Sequence, residues 1–220
     1  MTPPRDDHPV KGARTAVRVA AGVLCAWLVP PLWAGQVHFG RDVLFFKAPY
    51  LAEMARILRE GRWPWWSARL GGGMPLWHHP AAELADPLMW PALLLDPLVG
   101  WSLAVVLHAV VAACGTALLA RALRVAPALA GACGVAFAGC GATAALWTVK
   151  LVPATGLPWL LLGVVRLARG RGGGPLVAAS TAYLLLHPDP PMLVGAAAAA
   201  VAVGWAARAR GHVPSVTRWG

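Results

Sequence analysis

Charge is what this sequence has least of. Only 13% of its 220 residues are charged, and nine are acidic. A soluble domain uses about 25% charged residues. The shortfall, with 58% hydrophobic residues and a mean hydropathy of +0.60, excludes an ordinary soluble domain and fits a chain of several membrane spans. Cysteine is also sparse. Cys25, Cys114, Cys133 and Cys140 all lie inside apolar stretches, and none belongs to a Cys-x-x-Cys pair. Structural zinc and thioredoxin-type chemistry therefore have no support, and the four read as small buried thiols. There is no His-Glu-x-x-His, no Ser-His-Asp order, no nucleotide-binding loop and no haem motif. A net charge of +10 raises the question of nucleic acid, but the basic residues flank apolar runs instead of lining one face, so no nucleic-acid partner is expected.

What the sequence does contain is a set of uncharged runs. The first is Val17 to Ala34. Lys11, Arg14 and Arg18 precede or edge it, as in a signal peptide, but Val19 to Val37 is 19 residues without a charge, which favours an uncleaved span. Further runs are Ser102 to Ala120, Pro127 to Trp147 and Leu151 to Val165. The last apolar block, Pro175 to Ala207, is interrupted by His187-Pro188-Asp189-Pro190-Pro191, so it divides into two helices around a polar tip. The expected fold is an all-α polytopic membrane protein of about six transmembrane helices with a long first extracytoplasmic loop. Its parts are a cytoplasmic tail (1–16), the first span (17–34), the loop (35–101), spans two to six (102–207) and a second cytoplasmic tail (208–220). The fifth span is short, which leaves a five-span arrangement with a re-entrant segment open.

Basic residues orient this set. With the N-terminus in the cytoplasm, Arg121, Arg124, Arg166, Arg169, Arg171, Arg208 and Arg210 join the N-terminal arginines inside, and Lys150 alone occupies a short outer loop. Seven of the nine acids, Asp42, Glu53, Glu60, Glu83, Asp86, Asp96 and Asp189, fall outside. The expected location is a membrane crossed several times, with membrane lipids as surroundings.

The loop is the informative part, because helix connections in a bundle are usually short. Within it, Leu51, Met54, Ala55 and Leu58 follow i, i+3, i+4, i+7 spacing, with Glu53, Arg56, Arg59 and Glu60 on the other face and Gly61 as the stop. This predicts an amphipathic helix lying either in the membrane interface or on its own loop. Trp63, Trp65, Trp66 and Trp77 suit the headgroup level. Pro87 to Pro97 predicts a short interfacial or re-entrant helix.

Several residues are candidates for chemistry. Asp42 follows the first span closely, within reach of a lipid phosphate, where a carboxylate can serve as a general base or hold a divalent metal; otherwise it is a solvated partner of Arg41. Gly71, Gly72 and Gly73 permit close approach of a ligand, with a plain turn as the simpler reading. His78 and His79 with Glu83 and Asp86 offer metal-type donors, against surface histidines beside a capping carboxylate. His187 and Asp189 sit at the outer tip of spans five and six, where ionisable groups facing a bundle tend to be functional. His108 reads as a helix-contact residue, and Lys150 as a snorkelling or phosphate-contacting one.

Together these segments resemble the N-terminal part of the YfhO-like family of bacterial membrane proteins, which are similar to C-type glycosyltransferases. The resemblance runs from about Arg41 to Arg210. It is carried by Asp42 with Pro49, by Gly61-Arg62-Trp63-Pro64-Trp65-Trp66, by Gly71-Gly72-Gly73-Met74-Pro75-Leu76, by Pro158-Trp159-Leu160 and by His187-Pro188-Asp189. The chain departs from the family pattern at Trp66-Ser67-Ala68, where Asn-Pro is expected. It departs again at His78-His79-Pro80-Ala81, and at Asp189 where Gln is expected. Family members are several times longer, so the resemblance also implies a fragment, a truncated frame or a degenerate member. It implies a bacterial inner-membrane location, a polyprenyl-phosphate sugar donor, a cell-envelope glycan or lipid acceptor, and Asp42 as the catalytic carboxylate. Gly71, Gly72, Gly73, His78, His79, Lys150, His187 and Asp189 would then shape the substrate pocket. The metal requirement stays open, and a non-enzymatic membrane subunit or lipid or solute carrier is the alternative.

Overall fold

The computed structural model describes residues 8–38, 43–76, 83–140, 151–185 and 190–211. The fold is all-α, with one two-stranded ribbon in the loop. Helices α1 (His8–Leu28) and α2 (Pro30–Trp33) lead into a π-helical turn (Val43–Lys47) and α3 (Ala48–Arg59). Strands β1 (Trp66–Ser67) and β2 (Met74–Pro75) pair antiparallel, with Trp66 opposite Pro75 and Ser67 opposite Met74. A 3-10 turn (Pro87–Met89) runs into α4 (Trp90–Leu94), followed by α5 (Pro97–Ala122), α6 (Pro127–Gly139), α7 (Leu151–Ala168), α8 (Gly174–Leu185) and α9 (Pro190–Gly211).

Helix α5 is the axis of the molecule, and its ends have identifiable causes. Asp96 is the N-cap, its Oδ1 accepting from Leu98 N at 3.0 Å and Val99 N at 3.2 Å, and Pro97 takes the first helical position, where a missing N–H costs nothing. The C-terminus closes through Arg124 at φ +70°, with Val125 N donating to Ala120 O. The apolar run that suggests a span from Ser102 is thus extended outward by five residues, because the cap lies upstream of the hydrophobic stretch.

Two cores divide α5 between them. Its first turns pack on the loop: Trp101, Ala104 and Val105 join Val43, Leu51, Met54, Ile57, Leu76, Met89 and Leu93 in one buried cluster. The amphipathic helix α3 therefore uses its apolar face against its own loop. On its other face Glu53, expected toward solvent, is only 7% exposed and bonds to Ser67 of the β-ribbon, while Arg59 and Glu60 stay exposed. The later turns of α5 pack on α1 and α6 through small residues, namely Ala109, Ala113 and Ala117 against Ala16, Ala20 and Ala130. A smaller cluster, Leu160, Leu184 and Ala196, joins α7, α8 and α9.

Close backbone approach explains this small-residue seam. A Cβ on Gly134 of α6 would stand 2.5 Å from the Ala113 carbonyl oxygen and 3.1 Å from Ala20 Cβ. Helices whose surroundings are as apolar as their interface gain from such contact rather than from burial alone. Among the described residues, Gly12–Trp33 and Pro97–Ala122 are long and apolar enough to cross a membrane. Pro127–Gly139, Ala154–Ala168, Gly174–Leu185 and Leu193–Ala206 are shorter apolar helices.

The seam yields a direct test. Gly134→Val should destabilise the chain by about 1–3 kcal/mol, the usual cost of overpacking. Gly22→Ala, with nothing within 4 Å of its Cβ position in α1, should instead gain about 0.5–1 kcal/mol from helix propensity. Thermal unfolding of both variants in detergent, read by far-UV circular dichroism, checks the opposite signs.

Candidate functional site

Lys47, Glu53, Ser67, Glu83 and Asp86 of the loop are buried, while Arg59, Glu60, Arg62, Arg69 and Asp96 are exposed. Among the buried set, Asp86 meets both α5 and α8. Asp86 caps the 3-10 turn, its Oδ1 accepting from Leu88 N at 3.0 Å. Its Oδ2 lies 2.7 Å from His108 Nε2 on α5 and accepts from the Tyr183 hydroxyl on α8 at 3.2 Å. Asp86 and His108 are each 1% exposed. His108 Nδ1 lies 2.7 Å from the Ala104 carbonyl oxygen. A carbonyl only accepts, so Nδ1 carries a proton, and the imidazole and carboxylate share a further proton between Nε2 and Oδ2. One carboxyl group thus gathers three partners from three separate elements.

A second buried pair sits beside the same end of α5. Lys47, at the end of the π-helical turn, places its Nζ 2.6 Å from Glu83 Oε2, and both side chains are almost fully buried. The ammonium also lies 5.5 Å from the centroid of the Trp101 ring, within cation–π range. Glu83 adopts φ +45°, in the left-handed region that disfavours a side chain, at a cost of about 1–3 kcal/mol. Removing one member of such a buried pair typically costs about 3–5 kcal/mol, because it strands the other charge.

The third polar group ties the ribbon to α3. Arg56 holds Glu53 in a two-pronged grip, Nε to Oε2 and Nη2 to Oε1, each at 2.8 Å. Ser67 Oγ donates to Glu53 Oε1 at 2.7 Å and accepts from Arg69 N and Leu70 N. The Arg56 hydrogen bonds, opposed by desolvation and helped by Ser67, lower the Glu53 pKa from 4.5 to about 2. Gly71, Gly72 and Gly73 form the ribbon's turn at φ +59°, +76° and +117°, and a Cβ on Gly73 would reach within 3.0 Å of the Trp66 ring. Glycine is required there by the turn itself.

Asp42, His78, His79, Lys150, His187 and Asp189 lie outside the described residues. Of the metal-type donors expected beside the histidine pair, Glu83 is engaged with Lys47 and Asp86 with His108. Among the described residues no three His, Cys, Asp or Glu side chains come together as metal ligands. His108 does make a helix contact, and its partner is an ionisable side chain. Lys47 and Tyr183 had no distinguishing local pattern. The one available signal for Lys47 was a lone lysine inside the apolar run Val43-Leu44-Phe45-Phe46-Lys47.

A cavity of about 250 Å³ opens next to this network. It is lined chiefly by apolar groups, including Leu88, Val111, Trp159 and Leu176, with the Tyr183 ring on its wall.

Two outcomes follow. Asp86→Ala, which strands His108, uncaps the 3-10 turn and removes the Tyr183 acceptor, should lower stability by about 3–5 kcal/mol, measurable as a shift in the thermal midpoint. For Glu53 the folded pKa lies below the ordinary value. Its stabilising effect is therefore complete above about pH 4.5 and lost as the pH falls toward 2. Tryptophan fluorescence of the loop should report an acid transition in that window, and Glu53→Gln should flatten it. None of the protein-family models, curated proteins or solved structures compared with the chain matches it.

Proposed function

We propose that the chain is an integral membrane protein with its N-terminus in the cytoplasm, and that it works as a glycosyltransferase-like enzyme. It would take a sugar from a polyprenyl phosphate and pass it to a cell-envelope glycan or lipid on the outer side. The observation that carries this reading is the junction network, in which Asp86 of the loop, His108 of α5 and Tyr183 of α8 share one carboxylate. Asp42 directly precedes Val43, which is anchored in the loop core with Trp101. His187 and Asp189 follow Tyr183 by four and six residues. Val43, in the loop core, and Tyr183, bonded to Asp86, are thus described residues close in sequence to these expected site residues.

Charge placement supports the membrane part of the reading. Arg121 lies against Gly12, Arg169 donates to the Ala122 carbonyl, and Arg208 packs near Leu167 and Ala168, so these arginines share one end of the helices. Glu53, Glu60, Glu83, Asp86 and Asp96 belong to the loop or to the opposite end of α5. Trp33, Phe45, Trp65 and Trp90 are exposed on the acid side, as interfacial aromatic residues would be.

In this mechanism Asp42 is the base that takes the proton of the acceptor hydroxyl as it attacks the anomeric carbon. The bond from that carbon to the phosphate oxygen breaks, and the polyprenyl phosphate leaves with the electron pair. The Asp86–His108–Tyr183 network positions the loop against the helices. A lipid or solute carrier is the second reading, favoured by the largely apolar cavity beside Tyr183. Asp42→Asn in the full chain, reconstituted with a radiolabelled polyprenyl-phosphate sugar, separates the two. An enzyme should lose at least a hundredfold in transfer while still inserting in the membrane; a carrier should retain lipid binding and show no transfer in either form.

A further inference from the structure

At the end of the helices opposite the junction network, α1, α5 and α7 enclose a cleft of about 290 Å³. Arg121, Arg166, Arg169 and Arg171 line it, and Leu118 and Val165 contribute apolar lining. No carboxylate lines this cleft among the described residues. We infer that it is a binding site for an anionic phosphate ester, with a phospholipid headgroup as the occupant that best fits its lining.

Two of the arginines are held in place by the fold. Arg121 donates through Nη1 to the Val125 carbonyl, and Arg169 donates through Nη1 to the Ala122 carbonyl. These contacts cap the last turn of α5, the ordinary work of arginine at a helix C-terminus. They use one N–H each, whereas a guanidinium carries five. Arg121 Nε is buried and, among the described residues, has no hydrogen-bond partner. Helix α1 presents Gly12 at this point, where a Cβ would stand 2.7 Å from Arg121 Nη2, so any larger residue would push the guanidinium away.

Arg166 and Arg171 are exposed at the rim. Four cations around one cleft repel each other unless an anion bridges them. Guanidinium groups present paired donors that match phosphate oxygens two at a time. The apolar residues lining the same cleft suit the glycerol and upper acyl carbons of a lipid better than they suit a free ion. Basic clefts between spans on the cytoplasmic side are a recognised setting for anionic lipid headgroups. This inference does not depend on the enzymatic reading of the opposite end.

The test uses the full chain in a zwitterionic detergent, titrated separately with phosphatidylglycerol, phosphatidylcholine and inorganic phosphate. Native mass spectrometry and the Tm give the readouts. Phosphatidylglycerol should be retained and should raise the Tm, with phosphatidylcholine inert. The double variant Arg166→Gln/Arg171→Gln changes only rim residues and should weaken that binding at least tenfold. Arg124→Gln, a neighbouring arginine that does not line the cleft, should leave it unchanged. Stabilisation by inorganic phosphate at the same concentration, lost in the double variant, would also support the site and would identify a soluble phosphate ester as the source. Equal weakening by Arg124→Gln, equal binding of phosphatidylcholine, or no response to either phosphate source would overturn the inference.

Discussion

The contact between Asp86 and His108 decides where the loop sits. A loop of this length has many ways to lie over a helical scaffold, and apolar contacts alone distinguish weakly among them. A buried carboxylate that must meet one imidazole is far more selective. Turning α5 by a single residue would rotate His108 by about 100° around the helix and leave both groups buried without partners. That mismatch carries the penalty of two stranded polar groups, whereas the cluster around Met89 and Leu93 would tolerate some sliding. Tyr183 extends the constraint to α8, so a single carboxylate locks the loop, the central helix and α8 in register.

A different rule governs the rest of α5. Below the junction the helix meets its neighbours through alanine and glycine, and the backbones come close enough that Gly134 faces the Ala113 carbonyl directly. Trp159 uses the same closeness. Its indole N–H donates to the Val111 carbonyl at 3.0 Å, and its ring lies where a side chain on Gly115 would project. Selective polar pairing at one end and close small-residue contact along the other length let one helix serve a folded loop and a helical bundle together.

Much of the helical framework was legible locally. The i, i+3, i+4 spacing and Gly61 marked α3, the prolines and the polar tip separated α8 from α9, and Pro87 to Pro97 read as a short helical segment, now resolved into the 3-10 turn and α4. The site was not legible in the same way. Asp86 and His108 are 22 residues apart, and Asp86 and Tyr183 are 97 apart, so no window of sequence contains the network. Glu53 misled for a related reason: helical periodicity distinguishes two faces but cannot say that Ser67, 14 residues later in a ribbon, will cover Glu53 on the polar one. The same limitation applies to Lys47, whose partner Glu83 lies beyond the ribbon.

Energetics argue that the junction is more than a fastener. A buried ion pair returns little net stability once desolvation is counted, and replacing it with packed apolar residues is often neutral or stabilising. Here Lys47 and Glu83 form such a pair, with Glu83 held at an unfavourable backbone angle, and Asp86 and His108 add a buried hydrogen bond. Apolar side chains at Lys47, Glu83, Asp86 and His108 would hold the loop about as firmly, and the backbone strain at position 83 would persist with any of them. What they would not provide is a bond from the buried network to Tyr183, which lines the largely apolar cavity. Through that phenol the position of the loop is tied to the shape of a cavity suited to an apolar ligand.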